Sequence, residues 1–158
     1  MGAIFQACLL GALALLLLSA GVEDVRFRTI ANAKNAAIAL AAPLWWWASG
    51  MALWPDVALQ IGCAAIVFAL FIGVFAAGAM GGGDVKLIGA LALWLPLMPL
   101  LRMLILMSLL GGALTLAMLL HQRLRRRGST VAIEVPYGVA ITLGAGIVLY
   151  EPILNRIM

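Results

Sequence analysis

Long apolar runs alternate with short polar turns along this chain, and that rhythm is its dominant pattern. Six apolar segments stand out, at about Gly2 to Val22, Ala36 to Leu53, Val57 to Ala77, Lys86 to Leu97, Leu101 to Leu120 and Pro136 to Tyr150. Polar or helix-breaking stretches separate them: residues 23–35, Trp54-Pro55-Asp56, a glycine-rich turn before Lys86, the Pro96 and Pro99 break, and a basic stretch from His121 to Arg127. Inside the runs the apolar residues are continuous and rich in Leu, Ala and Gly. A membrane β-barrel strand would instead alternate apolar and polar positions. A helix needs about 20 apolar residues to cross a bilayer. The pattern therefore predicts an all-α fold: an integral membrane helical bundle of about six transmembrane helices, forming a single domain over residues 1–158. The fourth segment is short, which implies tilt, local bilayer thinning or a partly re-entrant path.

Composition supports this reading and excludes others. Hydrophobic residues make up 66% of the chain and charged ones 10%, and mean hydropathy is +1.17. A soluble domain carries about 25% charged residues. The net charge of +4 does not point to nucleic acid, because the basic residues sit in short turns. Eight of the ten, Arg26, Arg28, Lys34, Lys86, Arg123, Arg125, Arg126 and Arg127, fall in turns that six spans would place on one side; Arg102 and Arg156 fall on the other. Positive residues mark the cytoplasmic side, so both termini are expected outside, with anionic lipid as a partner of the basic turns. No Lys or Arg precedes Arg26, and the first run is long for a signal peptide, so it reads as a retained span. Trp45, Trp46, Trp47 and Trp54 read as an interfacial aromatic belt on the outer side. Cys8 and Cys63 lie in apolar runs and read as small buried hydrophobes; no CxxC pair suggests zinc.

Chemistry enters with the acids. There are only six, and a carboxylate in hydrocarbon costs about 2.5–3.5 kcal/mol, so each is a functional question by default. Asp84 follows three glycines in Gly81-Gly82-Gly83-Asp84-Val85-Lys86, and Asp24 ends the first apolar run. The charge pattern places both on the cytoplasmic side at similar depth. Two neighbouring carboxylates share a proton; one can then activate a water while the other donates to the carbonyl under attack. That is aspartic-protease chemistry, needing no metal and no cofactor. On spacing alone, Asp84 reads equally as a helix N-cap or as a catalyst, and the glycines as a flexible turn or as space for a close neighbour. A non-enzymatic transporter or assembly subunit that uses Asp24 and Asp84 structurally, or to bind protons, is the competing reading. Lys86 reads as a topology anchor or a partner of Asp84, Glu23 as a solvated neighbour of Asp24, and His121 as an interfacial side chain. Glu134 is the next acid on the cytoplasmic side; Asp56 and Glu151 lie on the opposite one.

Assembled in order, these residues resemble the type IV prepilin peptidases, the bacterial branch of the GxGD membrane aspartic proteases. Gly81 to Leu87 resembles that family's GxGDxKL motif, with Asp84 as its second catalytic aspartate and Gly81, Gly83 and Lys86 as supporting positions. Asp24, followed by a basic turn with Ile30 and Asn32, resembles the first motif; Ala31 stands where the family usually has proline. Val135-Pro136-Tyr137-Gly138 resembles the P-Y-G segment that opens the last helix. The resemblance implies a peptidase that removes the short basic leader of prepilins and pseudopilins at the inner face of the bacterial cytoplasmic membrane. It also implies contact with pilus-assembly machinery. Without the N-terminal region and CxxC motifs of larger members, the chain is similar to short members serving Flp-type pili, and cleavage without N-methylation is expected.

Overall fold

The computed structural model describes the backbone over residues 2–124 and 137–157, and side chains over 2–121 and 137–150. Six helices follow one another: α1 (Gly2–Phe27), α2 (Asn32–Ala48), α3 (Ala58–Ala76), α4 (Gly82–Ala92), α5 (Leu97–Leu124) and α6 (Tyr137–Ile157). A kinked segment, Leu53–Val57, with extended backbone at Trp54 (φ −133°, ψ 128°), leads into α3. No strand occurs among the described residues, and the expected all-α bundle stands. Among the described residues, three stretches are long and apolar enough to cross a membrane: Gly2–Phe27, Leu53–Ala76 and Leu97–His121. Their outward faces carry Leu15, Ile66, Leu70, Ile105 and Leu109, all exposed, as lipid-facing surfaces require and as a water-soluble monomer would not tolerate in such quantity.

The short helix lies at the centre. At 11 residues, α4 is about 16 Å long, well under a bilayer's apolar thickness. It packs against α2, α3 and α6 and buries Val85, Leu87, Ile88, Ala90, Leu91 and Ala92. A helix buried over nearly all of its surface is a core helix; Lys86 is the one exposed residue of α4. Its C-terminal carbonyls end where water cannot reach, so side chains supply the donors. Gln60 Nε2 donates to the Ala92 and Leu95 carbonyls, 2.7 Å each. Trp46 Nε1 donates to the Leu93 carbonyl at 2.8 Å, and Trp94 Nε1 to the Ile38 carbonyl at 2.8 Å.

Two of these tryptophans also serve the bundle itself. Trp47 and Trp54 are exposed, but Trp46 serves α4 and Trp45 stacks on Trp94 with ring centroids 5.7 Å apart. A ring with one polar N–H satisfies a buried carbonyl while filling apolar space. Cys8 is exposed on α1 and Cys63 half-buried, so neither is a core residue. Close helix packing uses small residues, as between membrane helices generally. A Cβ on Gly144 of α6 would sit 3.2 Å from the Met103 carbonyl oxygen of α5, so backbones meet there directly.

Two boundaries differ from the pattern-based reading in ways that matter. α1 continues past Val22 to Phe27, so Asp24 lies on a helix and not in a turn: one face of that last turn is buried against α6 while Arg26 and Phe27 face outward. α4 begins on the glycines themselves, at Gly82, four residues earlier than the apolar run suggested. Segment boundaries elsewhere move by a few residues, because apolarity marks what lipid and core want and not where hydrogen bonding stops.

Candidate active site

Asp24 comes from the last turn of α1 and is 4% exposed. Its Oδ2 accepts the Val139 N–H at 3.2 Å, and the Gly138 N–H is also directed at the carboxylate. These donors belong to the first turn of α6, where unsatisfied N–H groups and the helix dipole favour an anion. Gly138 makes the approach sterically feasible: a Cβ there would fall 2.8 Å from Asp24 Cγ and 2.8 Å from Oδ2. After Asp24 the helix closes with the Arg28 N–H on the Asp24 carbonyl at 2.9 Å. Arg28 takes a left-handed φ of 56°, as residues just past a helix end often do, and its positive charge acts on Asp24.

Asp84 comes from the first turn of α4 and is 8% exposed. The Gly81 N–H is directed at its carboxyl, while Oδ1 is buried without a partner. Asp84 lies outside the three long apolar stretches. Burial, and then the nearby charge of Asp24, push its carboxyl up to about 7. Asp24 and Asp84 line one cavity of about 330 Å³ together with Arg28, Thr29, Ile30, Asn32 and Gly81 to Gly83. The two acids singled out in the sequence are thus brought together at one cavity.

Those turns are knitted to each other. A Cβ on Gly83 would lie 3.3 Å from the Ile30 backbone nitrogen, so α4 starts in direct contact with the α1–α2 turn. Asn35 Nδ2 donates to the Gly83 carbonyl at 3.1 Å, and Lys86 Nζ donates to Asn32 Oδ1 at 2.8 Å. The second motif is built on the first. Gly82 and Gly83 are helical and Gly81 has φ −70°, so no glycine of this run adopts a left-handed hinge; Gly83 answers a need for closeness. Lys86 pairs with Asn32 and not with Asp84.

Glu23 is more than a solvated neighbour. It forms an ion pair with Lys34 at 2.9 Å and accepts the Ala31 N–H at 3.1 Å, clamping the turn beside Asp24. Ala31 has φ −60° and ψ 132°, and that φ is the one a proline ring would impose. The Ala31 N–H, which proline lacks, supplies the bond to Glu23. His121 is exposed at the end of α5, and Asp56 accepts the Ala52 N–H at 3.1 Å in a different turn. Arg125, Arg126, Arg127, Glu134, Val135 and Pro136 lie outside the described residues, as do the side chains of Arg123, Glu151 and Arg156.

Three contributors were missed in the sequence. Arg28 lies just past the end of α1, four positions after Asp24. Asn35 is a polar residue at the start of an apolar helix. The Gly138 and Val139 N–H groups leave no side-chain signal at all. Among the described residues no cluster of three or more His, Cys, Asp or Glu side chains gathers to hold a metal, and two carboxylates with backbone donors are a constellation for acid–base work on water.

Comparison with known proteins adds one match. No curated protein and no solved structure is similar to the chain at a significant level. The sequence does match the type IV leader peptidase family over residues 11–116, a stretch that contains Asp24, Ile30 to Asn32 and the whole of Gly81 to Leu87. With both motifs inside the match and their residues meeting at one cavity, the chain belongs to the type IV leader peptidase family, a family of proteases.

Proposed function

We propose that this protein is a membrane-embedded aspartic endopeptidase that removes the short basic leader from type IV prepilins and pseudopilins, those of Flp-like pili included, at the cytoplasmic face of the bacterial inner membrane. The observation that supports it best is the meeting of Asp24 and Asp84, both buried, at one cavity. The positive turns argue for the cytoplasmic side, where a leader would emerge from the substrate's apolar helix and pilus-assembly components would receive the product.

The two carboxyls are unlike, and the difference supports a division of roles. Asp24 accepts a backbone N–H from the start of α6 at 3.2 Å, so a donor already faces one of its oxygens. Asp84 has one oxygen with no donor and is held up to about 7 by burial and by the charge of Asp24, which suits the protonated form. Asp24 is then the base. It takes a proton from water as the water oxygen bonds to the scissile carbonyl carbon, and Asp84 passes its proton to the carbonyl oxygen, giving a gem-diol. As the C–N bond breaks, Asp24 gives its proton to the leaving nitrogen and one hydroxyl proton returns to Asp84. Both carboxyls end as they began.

The test is co-expression with an epitope-tagged prepilin. Asp24→Asn and Asp84→Asn should each be inserted normally and each abolish leader removal. Wild-type cleavage by either variant would defeat the dyad assignment. The rate should also fall as pH rises through about 7, because the proton that Asp84 must donate is lost there. A rate that holds steady well into the alkaline range would contradict the shared proton.

A further inference from the structure

Asn35 is 5% exposed on α2. A buried amide is unfavourable unless all its polar atoms are hydrogen-bonded. Its Nδ2 donates across the bundle to the Gly83 carbonyl at 3.1 Å, but its Oδ1 is buried with no partner. The only other buried side-chain atom without a partner among the described residues is Asp84 Oδ1. The two therefore flank one peptide: Asn35 grips the carbonyl of Gly83, and Gly83 immediately precedes Asp84 in the chain.

The bond does little that stability would ask for. Gly83 is a residue of α4, so its carbonyl already has a place in the helical ladder. A side chain of similar shape without polar atoms would remove the unpaired Oδ1, and such replacements are often neutral or stabilising. What the bond does fix is position. Gly83 rests against Ile30 on one side, where a Cβ would be 3.3 Å from the Ile30 nitrogen, and Asn35 holds its carbonyl from another. Between them, the backbone entering Asp84 has little freedom to turn.

We propose that Asn35 is a positioning residue for the reaction: by holding the Gly83 carbonyl it sets the orientation of the Asp84 carboxyl in the cavity. The proposal rests on the reading of Asp84 as the proton-carrying member of the dyad. Asn35 touches neither water nor substrate in this role and acts through the backbone. Small errors in the placement of a reacting group are expensive, with about 1 Å able to reduce rate by about a hundredfold.

The test uses the full chain in nanodiscs, with Asn35→Leu as the shape-preserving variant and Asn35→Ala as a second should leucine not fold. Two readouts are taken beside thermal stability. In prepilin cleavage, kcat should fall by at least about tenfold with KM within about twofold, while the melting temperature is unchanged or higher. In infrared spectroscopy, the protonated-carboxyl band of Asp84, identified by its loss in Asp84→Asn, should shift in frequency. An unchanged kcat, or a loss of activity that merely follows a loss of folded protein with the band unmoved, would overturn the proposal. Should wild type cleave no prepilin, that failure belongs to the proposed function; the infrared band still decides whether Asn35 orients Asp84.

Discussion

Gly138 shows how much one missing side chain can decide. The last turn of α1 reaches the first turn of α6 only because nothing occupies the 2.8 Å between the Gly138 Cβ position and Asp24. Gly138→Ala should push α6 away from the carboxylate and lower cleavage by at least about tenfold, the scale on which removal of a single hydrogen bond to a charged group acts. Gly146→Ala on the same helix meets open space and should leave activity unchanged, with stability higher by about 0.5–1 kcal/mol if helix propensity alone governs it. Parallel cleavage assays and thermal melts separate the two. At this scale the sequence was partly legible. Asp24 and Asp84 stood out because acids are scarce in an apolar chain, and their neighbouring glycines stood out with them. Arg28, Asn35 and the α6 donors did not, since each takes its meaning from the tertiary fold around the acids and the α6 donors are main-chain atoms that no residue type advertises.

Among the elements, α4 is the one whose behaviour departs from its hydropathy. It is too short to span, yet it carries Asp84 and is surrounded by other helices. Its far end depends on Gln60, whose amide nitrogen serves two carbonyls at once. Gln60→Leu would keep the volume and remove both bonds, leaving the Ala92 and Leu95 carbonyls without that donor in an apolar interior. A loss of about 1–3 kcal/mol is expected, read as a lower midpoint of unfolding in detergent, with activity per folded molecule little altered because Asp84 sits at the opposite end of the helix. The six helices themselves were readable from the apolar runs. Their ends were not, and the physical reason is visible at α1 and α4: polar residues and glycines continue a helix when a neighbour takes up the face they present. The tryptophans add a similar point, since the contacts of Trp45 with the Trp94 ring and of Trp46 with the Leu93 carbonyl could not be read from residue type.

Across the whole molecule, the charge pattern supplies an orientation that packing alone does not. The turns on the cavity side carry Arg26, Arg28, Lys34 and Lys86, and the α2–α3 turn carries none. With Cys8 and Cys63 replaced by serine, Ala79→Cys should react with an impermeant maleimide only from the cytoplasmic side, and Ser49→Cys only from the other. Reaction in the reverse sense would turn the cavity away from the compartment where leaders reside. Both residues are exposed, so labelling reports side and not burial.

The bond from Val139 to Asp24 joins residues 115 positions apart, and this has a consequence for biogenesis. Ribosomes deliver α1 before α6. Throughout synthesis, Asp24 and then Asp84 enter the membrane before the segment that supplies the α6 donors to Asp24 exists. In a nascent chain Asp24 therefore stays without its α6 donor until α6 has been made.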